Sequence, residues 1–168
     1  MHLRKIELSD LELLRTWRNS YNIRRFCRQV GLISKLDQDT WFKRQNDDPK
    51  IQMFVMDDNG PLGVCGLTDI DLINKRAEFS LYIGPEHQKK GYGRKALEQL
   101  FRFGFYELNL QLIWGETFDN NTAYKLFEKI GMTKEGTRRN FYYKEGMFLG
   151  AHLNSITKGE WVLCNIQL

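Results

Sequence analysis

The residues best placed to do chemistry in this chain lie between positions 88 and 94, in the run Gln88-Lys89-Lys90-Gly91-Tyr92-Gly93-Arg94. The run separates an alternating apolar segment, the signature of a strand, from a segment with helical periodicity. At the start of a helix the first backbone N–H groups have no partner and sit at the positive end of the helix dipole, an arrangement suited to phosphate. Glycines at 91 and 93 let the main chain approach ligand oxygens closely, and Lys89, Lys90 and Arg94 surround them with positive charge. A plainer reading is a strand-to-helix turn with a solvated basic rim. Two nucleotide-binding loops are excluded. A dinucleotide fingerprint needs a third glycine, where the chain has Ala96, together with a following strand and acidic residue that are absent here, and a Walker loop needs Gly-Lys-Ser/Thr, which is also absent.

Other chemistries find less support. Cys27, Cys65 and Cys164 are scattered and odd in number, and His2, His87 and His152 are equally dispersed, so neither a disulfide framework, a zinc site nor a Cys–His nucleophile is expected. The 168 residues suffice for one domain with its own core, spanning residues 1–168. Hydrophobic residues make up 42% and charged residues 27%, the balance of a globular protein. No apolar run approaches the ~20 residues that span a bilayer, and residues 1–10 lack a signal-peptide hydrophobic region, so a cytoplasmic protein without a membrane partner is expected. A net charge of +4 and a pI near 8.9 favour anionic ligands. Nucleic-acid binding would require a concentrated basic stripe, and Arg24, Arg25 and Arg28 read instead as a solvated helix face.

The elements that must position the loop follow from patterning. A first strand is expected over residues 2–8. Ser9 with Glu12 forms a capping box for a helix whose apolar face is Leu11, Leu14 and Trp17. A short helix follows over 21–27, and a third, capped by Asp37, carries Trp41 and Phe42. Strands are expected at 51–56 and 62–73, joined by the turn Asp58-Asn59-Gly60-Pro61, and at 77–83. In the last of these Ala77, Phe79, Leu81 and Ile83 face one way and Glu78, Ser80 and Tyr82 the other. A helix over 93–108 presents Leu97, Leu100, Phe101, Gly104 and Leu108. A strand at 111–118 leads to a helix capped by Asp119 or Asn120 and ended by Gly131. Strands at 133–143 and 147–156 complete the chain, with another expected at 161–166. The order is that of a mixed α/β fold.

The segment Ala77-Glu78-Phe79-Ser80-Leu81-Tyr82-Ile83, followed by Gly84-Pro85 and the loop, resembles the acetyl-CoA motif of the GNAT superfamily, Gln/Arg-x-x-Gly-x-Gly/Ala. About thirty residues on, the run from Asn120 to Met132 resembles the second GNAT motif, Asn-x-x-Ala-x-x-Leu-Tyr-Glu-Lys-x-Gly-Phe. Two motifs in order and at the right spacing are far more specific than either alone. The tail, from Glu135 through Gly146 to Trp161, is similar to the Rim-type branch, which acetylates protein N-termini. The resemblance implies a central, mostly antiparallel twisted sheet flanked by helices, with a V opening between the strands that end at Ile83 and Phe118. It also implies that pantetheine lies in the V against Leu81, Tyr82 and Ile83, that the pyrophosphate rests on residues 89–94, and that Gln88, Asn120 and Phe127 line the same site.

The activity so implied is acetyl transfer from acetyl-CoA to a primary amine by direct attack, without an acyl-enzyme and without a metal. Glu78 is the first candidate to take the ammonium proton and Glu116 the second, with a backbone N–H near Tyr82 or Ile83 for the oxyanion. Solvated or salt-bridged strand carboxylates are the alternative. Two positions depart from the family. Phe127 replaces a tyrosine that donates to the leaving thiol, leaving Tyr124 as substitute, and Gly150 stands where Rim-type relatives tend to have Asp. Arg18, Asn19, Arg25 and Trp41 are expected at the acceptor, with core packing as the rival role of Trp17 and Trp41. The acceptor is expected to be a small amine or nucleotide-linked amino sugar. The alternatives are a protein N-terminus or, for a domain that has lost catalysis, acyl-CoA alone. Monomer and homodimer are both open.

Overall fold

The structure, a computed structural model, describes residues 1–166. Its elements run β1 (His2–Lys5), α1 (Leu11–Asn19), α2 (Tyr21–Arg24), α3 (Lys35–Asp47), β2 (Gln52–Asp57), β3 (Pro61–Asp71) and β4 (Arg76–Ile83). Then follow α4 (Tyr92–Arg102), β5 (Leu112–Phe118), α5 (Tyr124–Lys129), β6 (Thr133–Lys144), β7 (Met147–Thr157) and α6 (Lys158–Ile166). All seven strands form one sheet in the order β1-β2-β3-β4-β5-β7-β6. Every neighbouring pair is antiparallel except β4 and β5, which are parallel. This is the mixed, mostly antiparallel sheet expected from the sequence.

That parallel seam is short. It pairs Arg76 with Leu112, Ala77 with Ile113 and Glu78 with Trp114, and ends there. Beyond Glu78 the strands diverge, yet each keeps its outer neighbour: β3 pairs β4 out to Ile83 and β7 pairs β5 out to Phe118. Phe79 acts as the wedge. Its ring lies so close over Gly115 that a Cβ there would overlap it. The expected V is therefore present, and one large side chain against one missing side chain holds it open.

Two hydrophobic cores cover the two faces. The larger packs β3, β4 and β5 against α4, α5 and α6, around Leu97, Leu100, Phe101, Phe105 and Ile113. The smaller joins Leu11, Leu14 and Trp17 of α1 to Val55 and Val64. Val55 and Met56, like Val64 and Cys65, belong to opposite cores, as strand alternation requires. Burial pushes the Cys65 thiol up to about 12, which leaves it inert as a nucleophile.

Four local expectations are corrected. The helix start near Ser9 is instead set by Asp10, whose carboxylate accepts the Glu7 amide at 2.8 Å, while Glu12 pairs with Arg15. Ser34 caps α3 by accepting from the Asp37 amide, and Asp37 closes the box from the third helical position. Neither Asp119 nor Asn120 caps α5, which starts without a side-chain cap; the Asn121 side chain closes the turn before it, accepting the Ala123 amide at 3.0 Å. The segment expected as a last strand is helix α6, whose Trp161 packs edge-on against Phe101, 5.7 Å between centroids. An apolar run of this length has no period to distinguish a strand from a buried helix.

Candidate active site

The loop from Gln88 to Arg94 leads from β4 into α4. Gly91 precedes α4 with φ +83°, in the left-handed region, and no side chain caps the helix. A Cβ at Gly91 would meet nothing within 4 Å, so its value is conformational. Gly93 serves differently: a Cβ there would lie 3.1 Å from Leu126, so its smallness lets α5 close on α4. Lys89 is also left-handed, at φ +61°, and with Lys90 is exposed and without an ion pair among the described residues. Arg94 is engaged by Glu98 at 2.7 Å. Gln88 donates to the Ile83 carbonyl at 3.2 Å, tying the loop to the end of β4. Trp17 braces the same turn from the other face: its indole N–H donates to Glu86 at 3.0 Å, and Gly84 lies flat against its ring.

Leu81, Tyr82 and Ile83 form the strand edge that faces the open V, and uncapped amides lie at its mouth. A strand edge continued by free N–H groups and two unpaired lysines fits a pantetheine diphosphate, so the residues present suit coenzyme A.

Inside the V lies a cavity of about 320 Å³. Phe79, Leu81, Tyr82, Phe118 and Phe127 supply its apolar wall, and Arg18, Arg28 and Glu116 its charged groups. Of the two carboxylates on facing strands, only Glu116 lines it. Glu116 accepts from the Tyr142 hydroxyl at 2.6 Å and pairs with Arg138. Burial and that hydrogen bond push the Tyr142 phenol up to about 12. Glu78 is 3% exposed and lies beneath Arg28, with which it forms an ion pair. Burial raises its carboxyl above the usual range, and Arg28 opposes that only in part. Arg28, expected on a solvated helix face, instead lines the cavity and pairs with Glu78. It lies fifty positions from Glu78, and no local pattern signals the pairing.

The other named residues divide. Phe127 lines the cavity and stands edge-on to Phe79, 5.1 Å between centroids. Tyr124 does not line it and packs edge-on against His152. Asn120 is exposed, and its neighbour Asn121 takes the place in the wall. Arg18 donates to Gln29 at 3.2 Å and lies 5.5 Å over the Tyr82 ring. Asn19 is spent on structure, donating to the Ile33 carbonyl and accepting the Ile33 amide at 2.9 and 2.8 Å. Arg25 is exposed and stacks on Tyr21 and Phe26. Trp41 lines a second, adjoining cavity, whereas Trp17 is core. Gly150 has a local cause: Asp119 accepts its amide at 3.0 Å, and a Cβ there would sit 2.7 Å from that carboxylate.

The model of the acetyltransferase (GNAT) domain matches residues 1–133. This chain belongs to the GNAT acetyltransferase family. Among curated proteins it is 28% identical over 149 residues to the spermidine N(1)-acetyltransferase of Vibrio cholerae, covering 87% of this chain and 86% of that one. It is 26% identical to the uncharacterized N-acetyltransferase p20 of Bacillus licheniformis, over 95% of this chain and 93% of that one. Among solved structures, the Vibrio cholerae spermidine N-acetyltransferase in complex with CoA and spermine superposes with a TM-score of 0.91, at 26% identity and 96% and 97% coverage. The protein is thus an N-acetyltransferase whose cosubstrate is acetyl-CoA. Among the described residues no helix is long and apolar enough to cross a membrane.

Proposed function

We propose that this GNAT enzyme acetylates a small primary amine that reaches the V from the side of α2 and segment 26–29, with Glu116 as the group that takes its proton. The observation that carries this reading is the placement of Glu116, the one carboxylate in the cavity wall, on the strand facing the open edge of β4. Bound acetyl-CoA supplies an activated acyl group that the free amine attacks directly, the C–N bond forming as the C–S bond breaks and CoA leaves as its thiolate. Glu116, fixed by Tyr142 and Arg138, holds and then removes the ammonium proton. Glu78 keeps Arg28 against the wall of the cavity and acts as a positioning residue. The backbone edge of β4 between Leu81 and Ile83 that faces the V orients the thioester. Helix α5 offers no proton donor at the cavity, since Phe127 is aprotic and Tyr124 turns toward His152.

The spermidine relatives support a small-molecule acceptor. A nucleotide-linked amino sugar would need guanidinium groups free for its diphosphate. Arg18, Arg25 and Arg28 are instead held by Gln29, by Tyr21 and Phe26, and by Glu78. A protein N-terminus would need an extended groove, and the space beside the V is a pair of compact cavities of a few hundred cubic ångströms. The test is thiol release from acetyl-CoA across a panel of small amines, amino sugars and peptides, with turnover confined to small amines and lost in Glu116→Gln.

A further inference from the structure

A second cavity, of about 370 Å³, adjoins the first and shares part of its wall, including Arg18, Gln29, Ser80 and Tyr82. Its remaining surface is apolar, from Ile33, Trp41, Ile51 and Met53, apart from two polar residues of α3. One is Asp37, whose carboxylate is committed to the Ser34 amide and hydroxyl at 2.9 and 2.7 Å. The other is Gln38, 5% exposed, whose side-chain amide has no hydrogen-bond partner among the described residues. An amide that lines a cavity and is engaged by no protein group is free to bond what enters it. Apolar walls with one or two convergent polar groups are the usual build of a small-molecule subsite.

We infer that this second cavity receives the far end of the acceptor amine, and that it selects an uncharged aromatic or branched apolar group carrying one hydrogen-bonding function for Gln38. The inference rests on the proposed amine acetylation, because the reacting end is placed at Glu116 and the tail passes Tyr82 and the Arg18–Gln29 pair. Arg18 at the junction disfavours a second ammonium, and the only carboxylate in the wall is already engaged by its helix cap. Flat apolar walls at Trp41 and Tyr82 favour a ring.

Calorimetric titration of the CoA-loaded protein with tyramine, 2-phenylethylamine and spermidine tests this without turnover. Tyramine is expected to bind roughly tenfold tighter than 2-phenylethylamine, the worth of about one hydrogen bond to a buried neutral group. Gln38→Leu is expected to erase that ratio while leaving 2-phenylethylamine unchanged. Ile51→Trp, which fills the cavity from its rim, is expected to abolish binding of both aryl amines and spare CoA binding. Spermidine binding more tightly than either aryl amine, or a ratio indifferent to Gln38→Leu, overturns the inference. The two readings fail separately. Tyramine bound through Gln38 but never acetylated leaves the subsite standing and removes the transfer reading. Amines acetylated without regard to Gln38 or Ile51 do the reverse.

Discussion

At the proposed cofactor end of the cleft the chain works with backbone, and at the proposed acceptor end with side chains drawn from distant segments. The first end consists of the open edge of β4, the left-handed Gly91, the uncapped start of α4 and two unpaired lysines, all within residues 81–94. The second joins Arg28 to Glu78, Arg138 and Tyr142 to Glu116, and Lys144 to the Gln29 carbonyl across 115 positions. The difference lies in how each tolerates change. A backbone site depends on a few dihedrals and is nearly indifferent to neighbouring side chains. A side-chain network depends on every partner being present.

The sharpest way to break this comparison is Glu116→Gln. Loss of a positioned base is expected to lower kcat by roughly 10²–10⁴-fold, while calorimetric CoA affinity stays unchanged; a parallel fall in CoA binding would show that the two ends are not separable. Gly115→Ala is next. The new methyl would press on Phe79 and is expected to cost about 1–3 kcal/mol of stability, read as a lower melting temperature. A neutral outcome would remove Phe79 as the wedge of the V. Gly91→Ala puts a Cβ on a φ of +83°, a strain of roughly 1–2 kcal/mol. It is expected to raise the KM for acetyl-CoA about tenfold, with the amine KM unaltered.

The same contrast explains which features are legible in the sequence. The loop, its glycines and the strand before it declare themselves within a dozen residues, because strand alternation and helix periodicity are local. Leu11, Leu14 and Trp17, the hairpin at 58–61 and the C-terminal Gly131 were legible for the same reason. Arg28 was not, since nothing in residues 24–28 tells a solvated arginine from one that reaches a buried carboxylate on β4. Asn19 and Asn121 illustrate a second limit: a polar side chain beside a site is as often holding a turn as touching a ligand. Trp161 shows a third, where a short apolar run folds as a helix because α4 offers Phe101 and Phe105 to pack on.

Two smaller effects sharpen the comparison through pH. Burial makes the folded state hold the Glu78 proton more tightly than the unfolded chain does, so its contribution to stability is present in acid and fades as pH rises through its titration. Glu78→Gln is therefore expected to raise the melting temperature more at pH 7 than at pH 4. Asp10 has the opposite sign. Its hydrogen bonds from Arg4 lower its carboxyl, so its contribution is present at neutral pH and is lost as pH falls, and Asp10→Asn should destabilise more at pH 7 than at pH 4. Arg94→Ala is expected to change the acetyl-CoA KM less than threefold, roughly the worth of an exposed charge already paired along its helix.

The account stands most directly on one assay: purified protein with acetyl-CoA and a panel of primary amines, following free thiol and acetylated product together. It predicts one thiol per acetylated amine, no burst of thiol before the amine is added, and loss of turnover in Glu116→Gln with CoA still bound. Tight CoA binding with no acetylation of any primary amine, or full turnover in Glu116→Gln, would contradict it.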